Sequence, residues 1–310
     1  MSDLAIEQSP LFQAPNPQPR PMLGILLRLA AMVMLAIMFV LVKLAHQRGI
    51  HLVETLFWRQ LAGLPLVLLW LWSIGKPNHI RARNPLAHAL RGILGLTSMA
   101  LNFAAMMLLP MAEATTISFA APLFASVLAA MLLAEPTGRY RWCAVALGFF
   151  GVLLTVQPSN GATQGIGPWI ALAGALLTAC TFIQIRRMSQ SENAGAIVFW
   201  FSLSTLVPLG VGMLFVARDH DFVGWSIITG LATSGAVAQL LLTTSMRHAS
   251  VATIATMDYT GLIWSIIFGY FVFAEGPGPG VWFGAPIIIV AGLTIVSREH
   301  KLVNAKLLEN

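Results

Sequence analysis

Charged and strongly polar side chains are rare inside the long apolar runs of this chain, so each one that occurs there stands where its chemistry would count. Asp258 lies several residues into an apolar run that follows the loop at Arg247–Ser250. A carboxylate at that depth is costly in lipid unless it is paired or faces water. It therefore either lines a substrate cavity or exchanges a proton, or it is paired with a neighbouring helix and capped by Thr256 or Thr260. Arg59 poses the same question with opposite sign. It either snorkels or pairs with Glu54, or it faces a cavity and attracts a substrate carboxylate. Asn102, Gln239, Ser118 and Thr243 either bridge helices or supply the few polar contacts of a mostly apolar pocket. Met99, Met106, Met107, Phe119, Tyr259 and Trp264 either make an adaptable wall for apolar or aromatic groups or pack against lipid and core. Glu113 opens a run, where the positive end of a helix dipole favours an acid. Glu135 and Glu275 each end a run, which suits a scaffold role: satisfying the start of the next helix or pairing with loop arginines.

Composition dictates what must hold these groups. Of 310 residues, 57% are hydrophobic and 10% charged, with a mean hydropathy of +0.78. A soluble domain carries about 25% charged residues, so this chain cannot cover a surface in water and is solvated by lipid. The apolar runs are continuous and do not alternate with period two, which selects helices over a barrel. The net charge of +6 arises from basic residues in short loops between the runs, a pattern that membrane orientation explains better than nucleic acid does. Cys143 and Cys180 lie inside apolar segments and read as small buried hydrophobes. No HExxH, GxSxG, Walker loop or dinucleotide fingerprint occurs, so neither an enzyme nor a cofactor is expected. Asp219-His-Asp221 is read as a solvated turn in preference to a metal site.

Ten apolar segments are predicted, at 23–45, 53–73, 86–108, 112–134, 139–156, 167–188, 195–217, 223–246, 251–274 and 279–297. A proline-rich tail (1–21) precedes them and a short tail (299–310) follows. Pro158-Ser-Asn-Gly161 separates the segments into two groups of five, giving units of 22–158 and 159–298. If the N-terminus is cytoplasmic, twelve of the 18 Lys and Arg residues fall in cytoplasmic segments, and only Lys43, Arg48 and Arg218 fall on the other side. Arg28, Arg59 and Arg91 fall within spans. Both termini are thus expected in the cytoplasm. Trp58, Trp142, Trp169, Trp225 and Trp282 near segment ends read as interfacial belt residues.

The two groups echo one another. Ala112–Glu135 returns as Ala252–Glu275, with Thr116 meeting Thr256, Phe119 meeting Tyr259 and Glu135 meeting Glu275. Gly24 and Lys43 of segment one meet Gly167 and Arg186 of segment six, and Gly95 of segment three meets Gly235 of segment eight. Five helices per copy is an odd number, so the second copy enters the membrane inverted. The informative places are those where the copies differ: Ser118-Phe119 faces Asp258-Tyr259 in the alignment.

Several of these stretches are similar to the EamA-type transporters of the drug/metabolite transporter superfamily. In the first half these are Arg59 with Ala62, Pro122-Leu-Phe, Ala134-Glu135, Trp142, Gly148 and Gly151-Val-Leu-Leu; in the second, Met246-Arg-His-Ala-Ser250, Ala274-Glu275, Gly284 and Ala291-Gly292. Asp258-Tyr-Thr-Gly-Leu262 departs from the pattern, standing where the second half usually has an apolar-Pro motif. The resemblance implies an all-α membrane protein of ten transmembrane helices in two inverted five-helix repeats. It also implies a central site lined by segments one, three, four, six, eight and nine. Within the family the chain looks most like bacterial exporters of amino acids, including aromatic ones. The expected activity is export of a small metabolite by alternating access, with a drug or toxic-cation exporter as the alternative. An intramembrane lipid-modifying enzyme and a channel are remoter rivals. The expected partners are a small-molecule substrate and membrane lipid, with no nucleic acid and no second protomer.

Overall fold

The computed structural model describes residues 21–73, 82–132, 139–156, 165–189, 191–192, 194–248 and 256–308. The described residues are helical, without strands. The helices are α1 (Pro21–Gln47), α2 (Leu52–Ser73), α3 (Pro85–Leu108), α4 (Met111–Ser118), α5 (Ala120–Leu132), α6 (Arg139–Thr155), α7 (Gly167–Met188), α8 (Ala194–Val216), α9 (Phe222–His248), α10 (Thr260–Phe273) and α11 (Pro279–Leu308). Seven helical stretches are long and apolar enough to cross a membrane, and two shorter apolar helices, Trp142–Thr155 and Pro279–Ile295, accompany them. Large apolar side chains such as Leu214 and Phe215 are 82% and 83% exposed. Water does not tolerate a surface of that kind, but lipid does. The chain is a multi-pass helical membrane protein. The tail at 1–20 and the Pro158–Gly161 break lie outside the described residues, and α11 continues through positions assigned from the sequence to a C-terminal tail.

Segments four and nine, each read from the sequence as one continuous helix, are both interrupted. The first breaks at Phe119, between α4 and α5. Pro122 explains it, since a proline ring clashes with the carbonyl four residues back, here that of Ser118. In segment nine, residues 256–258 are helical, Tyr259 is a turn and α10 follows. No proline stands there. The break coincides with local bonds: Thr260 Oγ1 donates to the Met257 carbonyl at 2.7 Å, and Leu262 N–H donates three residues back to Tyr259 at 3.2 Å. The two breaks fall on aligned positions by different chemistry.

Helix neighbours are set by small residues. α1 packs chiefly on α9, α3 on α7, α6 on α11, α2 on α8, and α4 on α10. Between α6 and α11 the backbones nearly touch: a Cβ built on Gly284 would lie 2.4 Å from the Gly151 carbonyl oxygen and 2.2 Å from Thr155 Oγ1. Small residues allow such an approach where no hydrophobic effect drives helices together. Gly284→Ala should therefore lower stability by roughly 1–3 kcal/mol, read as a lower melting temperature of the detergent-solubilised protein; an unchanged melt would contradict the close approach.

Glu192, in the loop between α7 and α8, ties that loop to the start of α3. Its carboxylate accepts from the Asn84 N–H at 2.7 Å and the Arg83 N–H at 2.9 Å, with His88 Nε2 at 3.5 Å. Burial by itself raises the Glu192 carboxyl, but the two backbone donors and the His88 ring outweigh it and hold it below the usual carboxylate range. A depressed carboxyl stabilises fully above the ordinary carboxylate range and loses its effect as pH falls through the folded value. Glu192→Gln should thus lower the melting temperature at neutral pH, and the two melting curves should converge in acid.

Candidate functional site

Asp258 is paired. Arg28 on α1 grips it with two parallel bonds, Nε to Oδ1 at 2.5 Å and Nη2 to Oδ2 at 2.6 Å. This bidentate fork is the geometry guanidinium and carboxylate prefer. The Arg28 side chain is 10% exposed and that of Asp258 34%, so the carboxylate retains an open side. Of the two readings left by the sequence, pairing with a neighbouring helix is what the geometry shows. The sequence reading missed Arg28 as the partner, although it was visible as a cation stranded inside the first apolar run. Arg28 Nη1 remains buried without a hydrogen-bond partner.

Next to Asp258, Tyr259 meets Phe119 edge to face, with ring centroids 5.0 Å apart. The two helix breaks thus face each other across an aromatic contact. The Tyr259 hydroxyl rests on Gly292, where an added Cβ would stand 1.7 Å away. Ser118 Oγ donates to the carbonyl of Thr115 at 2.7 Å, and Thr115 and Ser265 hydroxyls join α4 to α10 at 2.7 Å. Ser118, Phe119, Asp258 and Tyr259 are therefore gathered around one locus.

Arg59 on α2 is not paired with Glu54. Glu54 instead meets His220 Nε2 at 2.7 Å. Arg59 Nη1 donates to Gln60 Oε1 at 2.8 Å and to Met99 Sδ at 2.7 Å, and its guanidinium stands 6.0 Å from the Phe103 ring. Its Nε is buried without a partner. Gly235 of α9 lies against its stem, and Met38 borders the same spot. Met106 is buried in the core cluster that contains Phe103 and Met38. This makes a half-buried cation without an acidic partner among the described residues, in a wall of thioether and aromatic groups.

Asn102 bridges helices. Its Nδ2 donates to the Ser98 carbonyl at 2.8 Å and to Thr178 Oγ1 at 3.2 Å, joining α3 to α7. Gln239 is exposed on α9, and the half-buried Thr243 donates to its carbonyl at 2.8 Å. These two residues bond within their own helix and do not join the Asp258 locus. Trp142, Trp169, Trp225 and Trp282 are all at least 40% exposed, as belt residues should be. Asp219-His-Asp221 is structural: Asp221 Oδ1 caps α9 by accepting from Gly224 N–H at 2.8 Å.

Two ionic contacts thus join α1 to the α10 region, since Lys43 Nζ pairs with Glu275 Oε1 at the far end. Lys43 Nζ also donates to the Leu109 carbonyl at 2.8 Å, and Glu275 Oε2 accepts from Met111 N–H at 3.2 Å. The expected partners of Glu275 were the start of the next helix or a loop arginine; it meets instead the start of α4 and a lysine on α1. Glu135 lies outside the described residues.

A multi-pass helical bundle with unpaired and paired charges buried between its helices defines a class, that of membrane proteins with polar sites inside the bilayer. The family follows from comparison. The model of the EamA-like transporter family matches residues 22–157 and again 165–298, and the chain belongs to that family. An S-adenosylmethionine uptake transporter of Rickettsia prowazekii is 28% identical over 83% of this chain and 87% of its own length. The pseudopaline exporter CntI of Pseudomonas aeruginosa is 24% identical over 90% and 97%. A riboflavin transporter of Rhizobium johnstonii is 28% identical over 72% and 74%. One solved crystal structure superposes with a TM-score of 0.58 over 88% of this chain and 98% of its own at 16% identity, a likeness of fold. Family and relatives are small-molecule transporters.

Asp258→Asn should destabilise the protein by about 1–3 kcal/mol, because it leaves the Arg28 fork half-bonded in a dry place. Removing both charges with Arg28→Gln and Asp258→Asn should cost less than the two single changes added together. Thermal unfolding of the four proteins measures the difference, and simple additivity would show that the pair contributes nothing as a pair.

Proposed function

We propose that the chain is a secondary transporter that exports small carboxylate-bearing metabolites, most consistent with aromatic or other apolar amino acids. The observation that carries this reading is Arg59, a cation inside the bundle with no acidic partner among the described residues and a spare buried donor, facing Met99 and Phe103. A guanidinium with a spare donor suits a carboxylate, and a methionine and aromatic wall adapts to apolar side chains. The same unpaired cation disfavours a cationic substrate that brings no carboxylate to answer it. Among the relatives, S-adenosylmethionine itself carries an amino-acid head. The relatives include both an uptake transporter and an exporter, so direction rests on the resemblance to amino-acid exporters.

The working architecture is ten spans in two inverted halves, 22–158 and 159–298, with α4 and α5 forming one broken span. Helix neighbours support it. Under such a two-fold exchange the α1–α9 contact becomes the α7–α3 contact, while α2–α8, α6–α11 and α4–α10 map onto themselves. Both termini lie in the cytoplasm of an inner-membrane protein that acts as a monomer. The substrate sits between the halves with its carboxylate at Arg59 and moves by alternating access, without a cofactor.

Counterflow in liposomes tests the reading. An amino acid trapped inside should accelerate entry of its labelled form, and Arg59→Gln should raise the half-saturation concentration by about 10- to 100-fold, the effect of losing a charge-assisted bond. Arg59→Lys should recover part of it. Absence of counterflow for every amino acid, or indifference to Arg59→Gln, would overturn the proposal.

A further inference from the structure

α1 carries two formal charges along its length, Arg28 and Lys43, and the stretch from Thr256 to Glu275 also carries two, Asp258 and Glu275. All four are used in two ion pairs between the same two elements. Fifteen positions separate the cations, about 22 Å along α1, and seventeen separate the acids. Both pairs ascend together, so α1 and α10 run parallel and are joined near both ends. We propose that these pairs are the two gates of the pathway, Arg28–Asp258 on the cytoplasmic side and Lys43–Glu275 on the outer side, and that they open one at a time. The proposal rests on the transport reading and its orientation.

Each pair is built to part and re-form. The cations are dry, with side chains 10% and 8% exposed, whereas the acids remain 34% and 25% exposed. An acid with a wet side has water to turn to when it lets go, which lowers the cost of parting that a fully buried pair would incur. The surroundings also yield. Asp258 stands at the Tyr259 break in segment nine, a joint that lets the helix end tilt. Glu275 follows Ala274, which holds a left-handed conformation at φ 54°, and it also clamps the turn between α3 and α4 through Met111 N–H. Opening the outer pair therefore releases that turn as well. With both pairs broken at once, two cations would be unpaired in lipid; with one broken, the other still holds the helices in register. Sequential opening is the cheaper path.

The test needs no substrate. In the full chain with Cys143→Ser and Cys180→Ser, Leu35→Cys places a reporter midway between the rungs on the same face of α1. Membrane-impermeant maleimide is applied to each side of oriented vesicles. Glu275→Gln should speed labelling from the outer side by about tenfold or more and leave the inner rate unchanged or slower. Asp258→Asn should do the reverse. Exchanging the charges, Arg28→Asp with Asp258→Arg, should return the inner rate to that of the parent and so exclude simple misfolding. Equal acceleration from both sides by either variant, or none, would overturn the gates in favour of static staples. A protein that fails amino-acid counterflow but shows this sided labelling would retain the gates and lose only the substrate reading.

Discussion

A charge within lipid has to be answered, and the answers given to the charges in this bundle organise it. Arg28 and Lys43 are answered by acids, and those pairs fasten α1 to the α10 region at two heights. Arg91 is answered by an aromatic face, its guanidinium 4.1 Å from the centre of the Phe201 ring. Arg59 is answered by neutral groups alone, Gln60, Met99 and Phe103. The two arginines without acidic partners stand beside Gly95 and Gly235, which the repeat aligns with each other. A Cβ on Gly95 would lie 2.0 Å from Arg91 Nη1, and one on Gly235 would lie 3.4 Å from Arg59 Cγ. Each half thus keeps a glycine where a guanidinium stem must pass, though a different helix delivers the arginine in each.

The fold was legible because lipid imposes a simple rule on sequence: backbone groups must be satisfied within a segment. Runs of apolar residues mark helices, and their ends matched to within a few residues at α2, α3, α6 and α7. The rule does not say where a helix is interrupted. Pro122 was a visible cause for the first break. The second has no proline, and its cause is local bonding at Met257–Thr260, which an apolar run hides.

The site was legible in its residue types and not in its partners. Pairing with Glu54 was one of the readings open for Arg59, yet Glu54 is taken by His220, 166 positions away. That happens because Asp221 caps α9 and thereby places His220 over the start of α2. Asp258 and Arg28 are 230 positions apart, and no local spacing connects them. Lys43 and Glu275 were each assigned to the outer end of a segment. Joining them needed the further knowledge that segments one and nine are neighbours, which charge counting and periodicity do not contain. Asn102 was left between bridging and lining, and its bonds to Ser98 and Thr178 show a bridge.

The repeat is most informative where it fails. Under the alignment Arg28 corresponds to Ala171 and Asp258 to Ser118, so the ion pair that joins segment one to segment nine has as its counterpart, between segments six and four, only a methyl group and a hydroxyl. Ala171 is buried at 1% exposure, and the Ser118 hydroxyl is spent on its own helix end. Two halves of identical chemistry would give the inward- and outward-open arrangements equal energy, since the two-fold exchange turns one into the other. An ion pair at one of the two equivalent contacts between the halves removes that equality, because the arrangement that keeps it closed is favoured over the one that parts it. Under the inverted-repeat, alternating-access reading proposed above, a bias between the two faces follows from one acid and one arginine that the duplication did not copy.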